Sequence, residues 1–363
     1  MSVFLTSRHC MEVIVIKVGT NVLMDEQGKL VPGIVDCYAR QAKALLGKGL
    51  APLIVTSGAV TLGRTSGLLL SDKKSFAAVG QVELMAAYRE AFAKMGLTVA
   101  QLLLSRHDVQ RRGLFDAFQQ TLGELIAAGI VPIINENDAL TNGEGEAFGE
   151  NDILAAMVAI ATKAKHLIYL TDQFGLYTQD PRSNTGRAHL VCDTSDVAKE
   201  FFQYCSNTTS AHSMGGMLTK LKGAQLAVAG GVETYIANGK MCVEIDDLLN
   251  CRIPTTRFFA RRDHDKLTNH ERWLLAGRDK SRMIVVDDGA VAAIKKQSTL
   301  LAVGVRKVLG EFAEGEIVEI VDGDRHGIGC GVVTMDSRAL ELKLELGEVN
   351  DVDVIHRDHL ITY

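Results

Sequence analysis

Short, almost unbroken runs of apolar and β-branched residues punctuate the chain from Glu12 to about Phe259, at 12–18, 52–56, 98–104, 130–134, 166–171 and 232–237. Runs of that length and composition predict strands. They do not alternate polar with apolar, so both faces of each strand are expected to be buried, as in a parallel sheet covered by helices. Between the first two, Ile34, Val35, Tyr38, Ala42, Leu45 and Leu46 recur at helical spacing. Gly47 and Gly49 then supply stop signals before Pro52 opens the next strand. The expected fold class is α/β, a three-layer α/β/α sandwich with a mainly parallel sheet. The texture changes at 260–282, which is charged, lacks a sustained apolar period and reads as a linker. Beyond it, Met283–Val286, Leu300–Val303, Ile317–Val321, Gly331–Thr334 and Val352–Ile355 are short strand patterns with glycine-bearing turns. They suggest a small β-rich barrel. The expected division is therefore 1–262, a linker at 263–282, and 283–363.

Composition narrows the function classes. A length of 363 residues suits two domains, and 47% hydrophobic against 23% charged residues is ordinary for a globular protein with a substantial core. A formal charge of −5 argues against a general nucleic-acid binder, which must neutralise phosphates. The seven cysteines are scattered, odd in number and without a Cys-x-x-Cys. That pattern predicts neither a zinc site nor a disulfide framework and fits a reducing cytosol. Arg8 and His9 fall where an export signal needs its apolar stretch, and no run of 18 apolar residues occurs. Neither a signal nor a membrane span is expected, and the cytoplasm is the expected location.

The candidate chemistry lies where predicted strands end, the edge at which open α/β folds bind ligands. Lys17 closes the first strand and is followed by Gly19 and Thr20, which allow backbone N–H groups close to an anion. By itself such a lysine reads equally as a solvated cap on the sheet edge. No Gly-x-x-x-x-Gly-Lys-Ser/Thr is present, so a phosphate must be held in another way than by a P-loop. Thr56-Ser57-Gly58-Ala59 follows the second strand, where Ser57 is either an anion donor at a helix start or an N-cap. Asn135-Glu136-Asn137-Asp138 and Gly149-Glu150-Asn151-Asp152 are amide and carboxylate clusters. Asp138 and Asn151 suit a substrate's amino and carboxylate groups, and Asp152 could orient lysines. The structural alternatives are an N-cap for Asn151 and a first-turn acid for Asp152. Asp172 ends a strand in Leu170-Thr171-Asp172-Gln173, with Asp180-Pro181-Arg182 behind it. Gly215-Gly216 precede a helical run, offering free N–H groups, and Lys220 adds a second cation. Two lysines about one site suit phosphoryl transfer from ATP to a carboxylate, where positioning and charge neutralisation dominate. Such an acceptor, with a pKa of about 4.3, needs no general base. Mg²⁺ would bind mainly through the nucleotide, and no protein metal site is expected.

These motifs resemble the amino acid kinase family and, within it, the glutamate 5-kinases. The likeness runs through Lys-Val-Gly-Thr (17–20), Thr-Ser-Gly-Ala (56–59), Asn-Glu-Asn-Asp (135–138), Asn-Asp (151–152), the 170–177 segment, Asp-Pro-Arg (180–182) and Gly-Gly-Met-x-Thr-Lys (215–220), in the family's order. The C-terminal region, including His356-Arg357-Asp358, is similar to a PUA domain. The resemblance implies phosphorylation of the γ-carboxylate of L-glutamate, the first step of proline synthesis. It implies ATP contacts from Lys17, Gly19, Thr171, Asp172, Met214, Gly215, Gly216, Met217, Leu218, Thr219 and Lys220. It implies glutamate contacts from Ser57, Asp138 and Asn151, and catalytic roles for Lys17, Asp152 and Lys220. It further implies a homodimer or homotetramer and feedback inhibition by proline. One departure is Met214, where the family usually has threonine, so that a thioether replaces a hydroxyl donor. The alternative readings are a kinase of another small carboxylate, or an RNA-binding PUA protein with a decayed kinase fold. Against the latter, residues 282–363 carry nine Lys and Arg but fifteen Asp and Glu, although RNA binding needs a basic patch. A local group at Lys295, Lys296, Arg306 and Lys307 is a candidate for one.

Overall fold

The computed structural model describes residues 11–140, 151–179, 188–194, 201–202, 211–260, 267–279 and 281–362, with 211–215 described by backbone alone. Strands β1 (Glu12–Val18), β2 (Leu50–Val55), β3 (Val99–Leu104), β4 (Val131–Glu136), β5 (His166–Thr171), β6 (Asp193–Thr194), β7 (Glu233–Asn238) and β8 (Thr255–Phe258) form one sheet in the order β3-β4-β2-β1-β5-β7-β8-β6. Every pairing is parallel except β7 with β8. The mainly parallel α/β fold expected from the pattern is the fold observed. Strands β1, β2 and β4 are buried on both faces, and two hydrophobic clusters lie on opposite sides of the sheet. One holds Val13, Val15, Leu53 and Val55, the other Ile14, Ile16 and Ile54. Burying each such side chain contributes about 1.5–3 kcal/mol. A one-residue slip of β1 would exchange the two sets, which pins its register.

Two helices, Ala59–Arg64 and Lys73–Lys94, cross on glycine. A Cβ at Gly63 would stand 1.9 Å from the Phe76 carbonyl oxygen, and one at Gly80 would stand 1.8 Å from that of Ala59. This approach holds the turn after β2 against the longer helix. Gly58 opens that turn at φ +105°, where other residues are strained.

The stretch read as a linker is corrected in part. Asn269–Gly277 is a helix, started by a capping box in which Thr268 accepts from Glu271 N and Glu271 accepts from Thr268 N. Its Trp273, Leu274, Leu275 and Ala276 are buried in the same cluster as Leu154 and Val158. The charged residues around it masked four contiguous apolar-to-small positions that carry no long period.

C-terminal to it, β11 (Val305–Leu309), β9 (Met283–Val286), β12 (Ile317–Val321), β13 (Gly327–Val332) and β15 (Leu360–Thr362) make a five-stranded sheet in that order. Strands β10 (Leu300–Leu301) and β14 (Asp353–Ile355) pair separately. The expected strand at 331–334 is displaced to β13. The helix Ser337–Leu346, capped by Asp336 and ended by Gly347 at φ +71°, was not anticipated. Ile317, Cys330 and Ile361 of this unit join the cluster around Trp273, so the two units share buried surface.

A second correction concerns the cysteines. Cys37, on the helix Ile34–Gly47, is disulfide-bonded to Cys242 in the turn after β7, with a Cα separation of 6.2 Å. The partners are 205 residues apart, so spacing along the chain carries no sign of the pair. The cysteine pattern therefore lends no support to a reducing compartment. No described helix is long and apolar enough to cross a membrane.

Candidate active site

The parallel strands deliver their C-terminal ends to one edge, where a cavity of about 800 Å³ opens. Lys17, the penultimate residue of β1, projects into it from a strand whose residues Val13 to Ile16 and Val18 are apolar. Its Nζ lies 2.7 Å from Asp152 Oδ1. Lys220 Nζ lies 3.1 Å from Asp152 Oδ2, which also accepts from Thr219 Oγ1 at 2.8 Å. All four side chains are buried. Asp152 is the second residue of the helix Asn151–Ala161, where the helix dipole favours negative charge. Burial opposes its ionisation, but the neighbouring charges of Lys17 and then Lys220 outweigh it and hold the carboxyl at about 2. The backbone is fixed as well: Tyr169 Oη donates to the Asp152 carbonyl at 2.8 Å.

Asn151 ties three elements together. Its Nδ2 is 2.7 Å from Thr56 O, 2.9 Å from Ser57 Oγ and 2.8 Å from Asn135 Oδ1. Asn135 in turn donates to Gln81 Oε1 at 2.8 Å. The Oδ1 of Asn151 is buried and accepts no hydrogen bond among the described residues. Gly58, not Ser57, is the N-cap of the helix Ala59–Arg64, so the capping alternative for Ser57 does not apply. Asp138, beyond β4, pairs with Lys73 at 3.4 Å, and Lys73 is 67% exposed.

The cavity gathers Lys17, Gly19, Ser57, Asp138, Asn151, Asp152, Thr171, Gly216, Thr219 and Lys220 of the expected residues. Others are not gathered. Asp172 follows β5 but does not line the cavity; its carbonyl accepts from Asn238 Nδ2 at 3.2 Å, closing the strand end. Met217 and Leu218 turn the other way and pack on the apolar core. The glycine pair is also corrected. The helix runs from Ala211 to Ala229, so Gly215 and Gly216 lie inside it rather than before it. Their N–H groups are then within the helix, not at its free start. The carbonyl of Gly216 instead accepts from Lys220 Nζ at 3.0 Å and Thr219 Oγ1 at 3.2 Å. The side chains of Met214 and the residues Gly149, Glu150 and Asp180 to Arg182 lie outside the described residues.

Sequence reasoning passed over Lys73, Lys74, Arg106 and the individual role of Glu136, all of which line the cavity. A local sign existed for Arg106. Ser105 and Asp108 form a capping box at its helix, with Asp108 Oδ2 accepting from Ser105 N and Oγ at 2.7 Å. Such a box marks a helix start beside a strand end. Among the described residues no cluster of three or more His, Cys, Asp or Glu is arranged to hold a metal ion.

Residues 12–238 match the amino acid kinase family, and residues 282–355 match the PUA domain. The chain is 38% identical to "Glutamate 5-kinase 2" of Pseudoalteromonas translucida (strain TAC 125), over 96% of this chain and 98% of that one. It is 35% identical to "Glutamate 5-kinase" of Vibrio vulnificus (strain YJ016), over 96% and 95%. Among solved structures, carbamate kinase from Giardia lamblia bound to AMP-PNP superposes with a TM-score of 0.51 at 12% identity, covering 69% of this chain and 99% of that one. That likeness concerns the fold alone. The chain belongs to the amino acid kinase family, in its glutamate 5-kinase branch, and ends in a PUA domain.

Proposed function

We propose that this protein transfers the γ-phosphoryl group of ATP to the side-chain carboxylate of L-glutamate, forming L-glutamyl 5-phosphate, the first step of proline synthesis. The observation that carries this reading is the buried Lys17–Asp152–Lys220 trio at the strand ends. Two ammonium groups held by one carboxylate leave a net positive charge where anions must meet. A carboxylate oxygen of glutamate attacks the γ-phosphorus, the bond to the β–γ bridging oxygen breaks, and ADP departs with its electrons. Neither step requires a proton to be removed from the acceptor. Lys17 and Lys220 would neutralise the transferring phosphoryl oxygens, and Asp152 would hold both lysines.

The sheet order divides the cavity. Lys17, Gly19, Thr171, Gly216, Thr219 and Lys220 stand at its β1–β5 end, which suits the nucleotide; Asp172, Met214, Gly215, Met217 and Leu218 would act from behind that end. Ser57, Asp138 and Asn151 stand toward β2 and β4, which suits glutamate. The vacant acceptor of Asn151 and the carboxylate of Asp138 fit the substrate ammonium. Asp152 is already engaged by both lysines, so Mg²⁺ entering with ATP would take its ligands mainly from phosphate oxygens and water. The kinase unit of 1–262 is extended by the helix at 269–277, and 283–363 forms the PUA unit. Proline feedback, a dimeric or tetrameric assembly and a cytoplasmic location belong to the same proposal.

The intact trio speaks against a decayed kinase that only binds RNA. The test is ATP consumption with glutamate, aspartate and acetylglutamate as acceptors, with hydroxylamine present to trap an acyl phosphate. A hydroxamate with glutamate above the others is expected. ADP release without hydroxamate, or a preference for another acceptor, overturns the reading.

A further inference from the structure

Arg106 touches two regions at once. It opens the helix Arg106–Gln110 directly after β3 and lines the cavity near Glu136 and Asp138. The chain carrying Asp138 is tied to the same place, since Asn137 N donates to Leu104 O at 2.9 Å. On its other side, Arg106 Nη1 lies 3.4 Å from both the Arg278 carbonyl and Asp279 Oδ1. These two residues join the helix Asn269–Gly277 to the PUA unit. The Arg106 and Asp279 side chains are only 13% and 6% exposed, so solvent screens their pairing far less than that of Lys73 and Asp138.

Asp279 is itself fixed. Its Oδ1 accepts from Ser281 N at 2.9 Å and Ser281 Oγ at 2.8 Å. Its Oδ2 faces Arg282 Nε at 3.9 Å, and Arg282 Nη1 reaches Glu316 Oε1 at 2.8 Å. The Arg282 carbonyl accepts from Glu319 N, in β12, at 2.9 Å. The helix before this junction rests on the helix that carries Arg106, with Trp273 Nε1 donating to Gln110 O at 2.9 Å. A continuous charged path thus runs from the edge of β12 to the cavity wall.

We infer that Arg106 is a positioning residue for the substrate end of the cavity, and that Asp279, backed by Arg282 and Glu316, sets where its guanidinium stands. The PUA unit thereby governs glutamate binding rather than nucleotide binding. This rests on the placement of glutamate at the β2–β4 end. A long arginine side chain loses considerable rotamer freedom when ordered. A partner that orders it beforehand removes that cost from substrate binding. The nucleotide end, at β1 and β5, lies away from this path and does not feel it.

The test uses the full chain. Asp279→Asn keeps the size and removes the charge. Glutamate KM should rise about fivefold, on the scale of couplings between contacting residues, while ATP KM and kcat stay within about twofold. Glu316→Gln should shift glutamate KM in the same direction by less. Arg106→Met should raise it at least as far, and Asp279→Asn added to Arg106→Met should add nothing. Full additivity of that pair, or equal effects of Asp279→Asn on ATP and glutamate, overturns the inference. Should Asp279→Asn fail to fold, Arg106→Met and Arg106→Lys carry the test. Lysine should then recover most of the KM lost with methionine, and a methionine variant with wild-type KM overturns the inference. Asp138→Ala separates the two failures. If it too leaves glutamate KM unchanged, the placement of glutamate is wrong; if it raises KM while Asp279→Asn does not, only the role of Arg106 falls.

Discussion

The two ends of the cavity are built by different means. At the β1–β5 end, Lys17, Asp152, Thr219 and Lys220 are all buried and locked by ion pairs of 2.7 and 3.1 Å. At the β3–β4 end, Asp138 meets a largely exposed Lys73 at 3.4 Å, and Arg106 is held from a neighbouring unit. Charges taken out of water interact strongly and cannot reorganise cheaply, whereas exposed pairs contribute about 0–1 kcal/mol. The first end is therefore set before any ligand arrives. The second can adjust to a small flexible substrate, and it is the end on which other parts of the molecule can act.

Substitutions should separate the ends sharply. Lys17→Met, at the locked end, should lower kcat by about 10²–10³-fold, as loss of a transition-state charge contact does, with glutamate KM little changed. An effect confined to KM in steady-state assays would erase the contrast. Asp152→Asn should abolish most activity and destabilise the fold by roughly 3–5 kcal/mol, because Lys17 and Lys220 would face each other without their counter-charge. Its pH dependence follows from the depressed carboxyl, at about 2 against the ordinary 3.8. The stabilisation is fully present above the ordinary value and is lost as pH falls toward about 2. Denaturant melts of the wild type between pH 5 and pH 2 should show this loss, and Asp152→Asn should lack that share of it.

Asp138→Ala, at the adjustable end, should raise glutamate KM about tenfold, the value of a hydrogen bond to a charged group. Its melting temperature should hardly move, since the pair with Lys73 is exposed; a large drop would place Asp138 in the locked class. Met214→Thr should do least. In a helix, a threonine hydroxyl bonds back to a carbonyl of the preceding turn, so ATP Kd by calorimetry should change by less than about threefold, the scale of helix propensity differences. A tenfold gain in affinity would instead favour a hydroxyl contact to the nucleotide.

What could be read in the chain beforehand follows the same divide. Strands β1 and β5 announced themselves because both faces of their central residues are buried and those residues are almost all apolar. Lys17 stood out as the single charge ending such a run, and Asp152 as an acid in the first turn of a helix. Arg106 did not stand out, because its meaning depends on Asp279, far away in the sequence. The Cys37–Cys242 pair was hidden for the same reason. The helix Asn269–Gly277 was obscured differently: its buried face is short and is covered from two units, so it lacks the one-sided stripe of a surface helix. The glycines at 215 and 216 misled because glycine commonly interrupts helices, whereas here it leaves the Gly216 carbonyl beside Lys220 Nζ.

Asn151 has a consequence for any attempt to redesign the specificity of this protein. The amide that lines the cavity also fastens the chain after β2 to Asn135 at the end of β4. Ligand affinity and chain folding are thus coupled through one side chain. Libraries randomised there would be dominated by clones that fail to accumulate, and survivors would report on foldability rather than on acceptor choice. Diversity placed instead at Lys73, Lys74, Arg106 and Asp138 would explore new acceptors while leaving the sheet ends fastened.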